Sequence, residues 1–206
     1  SVSFVIDGMG YLSYDNAASD SHDGLIFESV DFSLYAVNGH IFENCAFRSC
    51  HFNEISLKGT ELRFCSFVDS ELLVVDLAGA TFNKVCFTDC KLMGLNFRDC
   101  NRFGFSLSTD GCLLDSLIFD GNNLKGVALC NSELRNSDFM ECDLREADFS
   151  DSSFSNTTFQ NCNLERADFR TAAGYQINPY TNKIKKGRFS LPEAYSFLSF
   201  LDIELS

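Results

Sequence analysis

Ten cysteines, three histidines and an excess of carboxylates are the residues of this 206-residue chain that could do chemistry. Cysteine with histidine would suggest zinc, paired cysteines a disulfide, and paired carboxylates acid–base catalysis. The spacings support none of these. There is no CxxC pair and no neighbouring histidine cluster; His22 and His51 read as isolated, and His40 falls in an inward-facing slot. No GxSxG, phosphate-binding glycine loop or carboxylate pair stands out. Instead Cys45, Cys50, Cys65, Cys90, Cys100, Cys112, Cys142 and Cys162 share one position, two before a large apolar residue or where one is expected. That is the place of a small core filler, a role buried cysteine often takes. Catalytic residues, metal and cofactor are therefore all expected to be none, and the chain is expected not to be an enzyme.

The position repeats because the apolar residues do. In "NSDFMECDLREADFSDSSF", residues 136–154, Phe139, Leu144, Phe149 and Phe154 are five apart. A helix would scatter that spacing around its axis, and a flat strand would flip it between faces. The step continues upstream from Phe27 to Phe97 and downstream from Leu114 to Phe169. A chain that turns a right angle every five residues puts every centre on one axis, with twenty residues per coil. Gly39, Gly59 and Gly79 recur at that longer period, with Asp99 in the same slot, as corners needing positive φ would. Phe27, Phe47, Phe67 and Phe87 should stack, and Phe119, Phe139 and Phe159 should form a column on the same side.

The array breaks between Phe97 and Leu114. Counted as one five-residue step plus an insertion, the extra residues are Cys100–Gly111, leaving from the glycine corner. Phe103, Phe105 and Leu107 then have no obvious core slot. Two readings stand: the loop folds back over a side, or with Arg102 it forms an exposed contact loop.

The motifs "ADFSD", "CDLRE", "CNLER" and "ADFRT" resemble the pentapeptide-repeat family along residues 25–171. The resemblance implies a right-handed quadrilateral β-helix, an all-β solenoid, here of about seven coils. Residues 1–24 are expected to be an N-terminal cap or irregular segment, and 172–206 a C-terminal extension with a capping α-helix over about 191–201. The broken array and the tail, "GYQINPYTNKIKKGRFSLPEA", are similar to the Qnr and MfpA members. Those proteins imitate duplex DNA and bind type II topoisomerases. The resemblance thus implies a protein partner such as DNA gyrase or topoisomerase IV, with protection from quinolones. It also implies a homodimer through the terminal helix, with Tyr195, Phe197, Leu198 and Leu201 at the interface. A repeat scaffold for another protein partner is the alternative.

The charge is compatible with mimicry. Net charge is −13, while the last residues, from Arg170 on, are net basic, so the repeat body is the acidic part. Twenty-seven five-residue steps at four per coil give about 6.75 coils, which at about 4.8 Å each make a rod of about 32 Å, over which duplex DNA carries about 19 charges. Asp31, Glu71, Asp76, Asp143, Asp148 and Asp168 all precede a centre, and counting places them on two adjacent sides. They form either a directional surface for a basic groove or a solvated face that keeps the rod soluble. Direct nucleic-acid binding is not expected from such a balance. Lysines in "NKIKKGRF" are expected to protect an exposed edge, with binding of DNA or an acidic partner as the secondary alternative. Ser190 and Glu193 have capping-box spacing. No run of apolar residues is long enough to span a membrane, and the opening lacks signal-peptide features, so the cytoplasm is expected.

Overall fold

A computed structural model describes residues 20–201 and residue 203. Most of the segment expected as an N-terminal cap, residues 1–19, lies outside these. The described chain is a parallel β-solenoid of about eight coils, square in section, with the large side chains inside. We name the sides A to D in chain order. Side A starts with His22, Phe42, Leu62 and Phe82, and side B with Phe27, Phe47, Phe67 and Phe87. Side C runs through Phe52, Leu72, Leu92, Leu114, Leu134 and Phe154, and side D holds Leu77, Phe97, Phe119, Phe139 and Phe159.

Five residues make one side for reasons visible at each slot. Only the centre points inward from a three-residue strand, as in the exposed–buried–exposed pattern of Ser21–Asp23. The residue two after the centre takes a left-handed conformation, as at Ser49, Asn131 and Asp151, and turns the corner. Its amide then donates to the next coil, for example Asn44 N to Arg63 O at 2.9 Å. The residue two before the centre closes the interior carbonyls. Thr60 Oγ1 donates to Val37 O at 2.8 Å, Ser152 Oγ to Leu129 O at 2.7 Å, and Cys162 Sγ to Phe139 O at 3.2 Å. A small side chain with a weak or strong donor fits this slot, which is why Cys, Ser and Thr share it. The rings inside stack, Phe47 on Phe67 at 4.5 Å and Phe119 on Phe139 at 4.9 Å.

The break is smaller than counted. Cys86 pairs with Ser108 and Leu92 with Leu114, a step of 22 where Cys86 and Ser66 keep a step of 20. Two extra residues are absorbed at 101–106 on side A, and a strand resumes at Leu107–Asp110. The expected loop Cys100–Gly111 is thus mostly wall. This moves every later column: Phe119 stacks on Phe97 at 4.7 Å, on side D, not above Phe87 on side B. Thr109 takes the place above Phe87 instead. Asp99 belongs to a 3-10 turn, Phe97–Asp99, and is not a left-handed corner.

The coil also runs on past 171. Asp168–Phe169 pairs with Arg188–Phe189, and Asn163 bridges Lys183. Asn182 fills the carbonyl-closing slot, donating to Phe159 O at 2.9 Å. At Gly174, φ is +76 and a Cβ would lie 2.4 Å from Phe154 O, so only glycine fits that corner. Over this end lies a helix, Glu193–Phe200, of 3-10 rather than α type. The expected capping box is not formed. The Ser190 hydroxyl donates to Arg170 O, and Glu193 accepts from Gly174 N at 3.1 Å, so both side chains tie the helix to the coil.

Candidate interaction surface

Among the described residues no group of three or more His, Cys, Asp or Glu could hold a metal, and all ten cysteines are free. Burial pushes the Cys100 thiol up to about 12 and, with Asp148 beside it, Cys130 to about 11, so neither is a thiolate at neutral pH. His22 is not isolated, as its sequence position had implied. It takes a core centre, stacks on Phe42 at 4.7 Å, and its Nε2 lies 3.1 Å from His40 Nδ1. Burial lowers the pKa of both rings.

On the outside, the two-residue shift redistributes the acids. Asp31 and Glu71 are on side C, Asp76 on side D, Asp143 on side A, and Asp148 and Asp168 on side B. The six expected partner-binding acids therefore do not share two adjacent sides; they ring the rod. Several are already engaged. Asp143 takes both Arg145 nitrogens, Nε at 2.8 Å and Nη2 at 2.5 Å. Asp168 takes Arg170 Nη2 at 2.7 Å and Arg188 Nη1 at 3.4 Å. These guanidinium bonds hold both carboxyls below the ordinary range. Glu71 faces His51 at 3.3 Å, and Asp31 accepts from Ser33 N at 3.0 Å; the Ser33 side chain first, then this backbone bond, lowers the Asp31 pKa.

A second acidic strip, of which only Asp148 was expected, is interrupted at the coil of residues 128–131. It follows side B and its corner with side C through Asp69, Asp89, Asp110, Asp148 and Asp151. No lysine or arginine lies on this side between Arg48 and Arg170. A groove of 440 Å³ opens beside it, lined by Asp69, Glu71, Asp89 and Lys91. Gly111 leaves room here, since a Cβ there would meet Asp89 Oδ1 at 2.5 Å.

Side A has the opposite character. In its second half Asp143 pairs with Arg145, and Glu146 with Lys125 and Arg166 at 3.8 and 3.7 Å, while Glu165 lies on the same side. Lys183, Lys185 and Lys186 follow in the last coil, exposed and with no carboxylate in ion-pair range among the described residues. At the break on this side Phe103 is 89% exposed beside Arg102, whose Nη2 donates to Asp120 O at 3.3 Å. Phe105 and Leu107, expected in the same contact loop, are buried, Phe105 against Phe82 and Phe97.

This geometry is that of a known architecture. The family model described as "Pentapeptide repeat region" matches residues 40–109 and 106–169. The chain belongs to the pentapeptide-repeat family. No curated protein matches it by sequence. Among solved structures, a trypsin-treated variant of QnrB1, a plasmid-mediated fluoroquinolone resistance protein, is similar at 15% identity and TM-score 0.51. The match covers 95% of this chain and 96% of that chain. Full-length QnrB1 matches at 17% identity and TM-score 0.46, over 89% of this chain and 100% of that one. HetL, a pentapeptide-repeat protein involved in heterocyst differentiation regulation from Nostoc sp. strain PCC 7120, matches at 15% and TM-score 0.39, over 85% and 89%.

In this pentapeptide-repeat protein the terminal helix splits the expected dimer residues into two rows. Residues three apart eclipse in a 3-10 helix, so Tyr195, Leu198 and Leu201 align. Tyr195 is 60% exposed and Leu201 37%. Phe197 belongs to the other row and packs edge-on against Phe189 at 4.8 Å, on its own rod. The exposed row, with Leu191, is the apolar surface left over. No helix among the described residues is long and apolar enough to cross a membrane.

Proposed function

We propose that this pentapeptide-repeat protein is a non-enzymatic binding protein that imitates duplex DNA in the basic groove of a type II topoisomerase, DNA gyrase or topoisomerase IV. The observation that carries the reading is the acidic strip on side B, free of lysine and arginine, with five carboxylates over five coils of the close-packed wall. Coils rise about 4.8 Å, on the scale of the 3.4 Å between phosphates along one DNA strand. Fixed carboxylates at that spacing meet a basic groove with little loss of side-chain freedom, which favours association and steers the encounter. The sequence resemblance to Qnr and MfpA members, and the likeness to QnrB1, a fluoroquinolone resistance protein, support the choice of partner. The Tyr195–Leu198–Leu201 row supports pairing of two copies at their C-terminal ends, and the cytoplasm is where such a partner is met.

A gyrase supercoiling assay with and without fluoroquinolone tests this. The parent should restore supercoiling in the presence of drug. Replacing Asp69, Asp89, Asp110 and Asp151 by Asn should weaken that effect at least tenfold and flatten its salt dependence. A parent that neither binds nor protects the enzyme leaves a repeat scaffold for a different protein. The cationic character of side A favours that second reading, since a mimic acidic all round would lack it.

A further inference from the structure

Side A repels the partner that side B attracts, so it requires its own account. We infer that side A, from Phe103 to Lys186, is a second interaction surface that takes an extended acidic segment of a protein, independently of the DNA-mimic reading. On the same side one position of the repeat reads Lys125, Arg145, Glu165 and Lys185 coil by coil, and the next position holds Arg166 and Lys186, so cations outnumber the acids towards the C-terminal end. Lys183 joins them through its bridge to Asn163. Ion pairs with Asp143 and Glu146 use part of the upper charge, which leaves the three lysines as the free positive end.

The apolar exposures on this side fit a polypeptide. Phe103, 89% exposed, stands beside Arg102 at the upper end, and at the lower end Tyr180, 73% exposed, lies three residues before Lys183, ahead of the corner into side A. Exposed aromatics beside arginine and lysine are the composition of protein-binding hot spots. Four coils separate the two ends, about 19 Å at 4.8 Å per coil, which an extended chain covers in about six residues.

The test uses three fluorescent probes on the full chain in 20–50 mM salt. These are a hexaglutamate peptide ending in leucine, the matching hexalysine peptide, and a 20-base-pair DNA duplex. Anisotropy should show the acidic peptide binding the parent. The triple variant Lys183→Glu, Lys185→Glu, Lys186→Glu should lose at least tenfold in affinity, and Phe103→Ser about threefold. Lys58→Glu with Arg98→Glu, on side D, should leave binding within twofold. Hexalysine should still bind the triple variant, which reports that the rod and its acidic strip are intact. The inference is overturned if the parent does not bind the acidic peptide, or if the side D variant loses as much. It is also overturned if DNA binds more tightly than the peptide with the same lysine dependence, which would make side A a phosphate surface. None of these outcomes depends on gyrase.

Discussion

Two halves of the rod carry what looks in sequence like the same column of phenylalanines. Before the break it is Phe27, Phe47, Phe67 and Phe87 on side B; after it, Phe119, Phe139 and Phe159 on side D. The second column continues Phe97, not Phe87, because two residues were added at one corner. Each side is specified locally by its own five residues, so the fold survives the shift without repair. What changes is which outward residues share a side. A surface built on such a rod can therefore be re-dealt by a small insertion while the core is untouched.

The largest expected effects test that register. Phe97→Ala and Phe119→Ala should each cost about 3–5 kcal/mol, the usual range for emptying a buried aromatic site. Because these rings stack at 4.7 Å, the double variant should show a coupling of about 0.5–1.5 kcal/mol. The pair Phe87 and Phe119 should be additive. Urea melts that find coupling in the second pair and none in the first would restore the single continuous column.

The corner itself comes next. Phe105 is 6% exposed and Phe103 89%, although both were surplus to the repeat. Phe105→Ala should cost about 3 kcal/mol and Phe103→Ala less than about 0.5. Equal shifts in the denaturant midpoint would mean that residues 101–106 leave the wall as a loop.

That pair shows what the sequence could tell and where it stopped. The five-residue period and the small slot before each centre are repeated many times, so the square coil and its core were legible from them. The corner at 101–106 occurs once. Seventeen residues from Phe97 to Leu114 divide as one step plus twelve or as three steps plus two, and only packing decides between them. Thr109 hid the answer, since its polar side chain fills a centre by bonding Ser132 at 3.1 Å. In the last coil the count from Phe169 still lands on Ile184 and Phe189, but Gly174 and Pro179 break the visible pattern while Tyr175 and Ile177 fill the core. The error in register then became an error about surface: the acids were counted on to the wrong sides, and the charge difference between sides A and B went unseen.

The first half also starts with a histidine where the second half has only apolar centres or Thr109. Burial lowers the pKa of His22, with His40 adding to this and Asp20 opposing it. A histidine whose folded pKa lies below its unfolded value of about 6.5 favours the native state only while neutral. Its contribution is full above that pH and is lost as pH falls below about 6.5. His22→Phe should therefore flatten the decline in stability between pH 7 and pH 5. Parallel midpoint-versus-pH curves for parent and variant would show that His22 does not titrate within this window.

The corners differ between the halves as well, and this gives the smallest prediction. After the break the left-handed corners are Gly, Asn, Ser, Asp, Glu, Arg or Lys; before it they include Phe64 and Val74, both at φ 54. A β-branched side chain is strained in that region, where ordinary residues cost about 1–2 kcal/mol and Asn less. Val74 is 60% exposed, so little burial offsets the strain. Val74→Asn should raise stability by about 1 kcal/mol. The reverse change at Asn136, which occupies the same corner of side C, should lose more than that. It adds the strain and also removes the bond from Asn136 Nδ2 to Asp115 Oδ1 at 3.1 Å. If Val74→Asn is neutral while Asn136→Val is costly, the corner tolerates valine without strain and the loss belongs to the hydrogen bond alone. If both shift as expected, the first half keeps an exposed apolar residue against its own stability, which is the mark of a residue selected for contact.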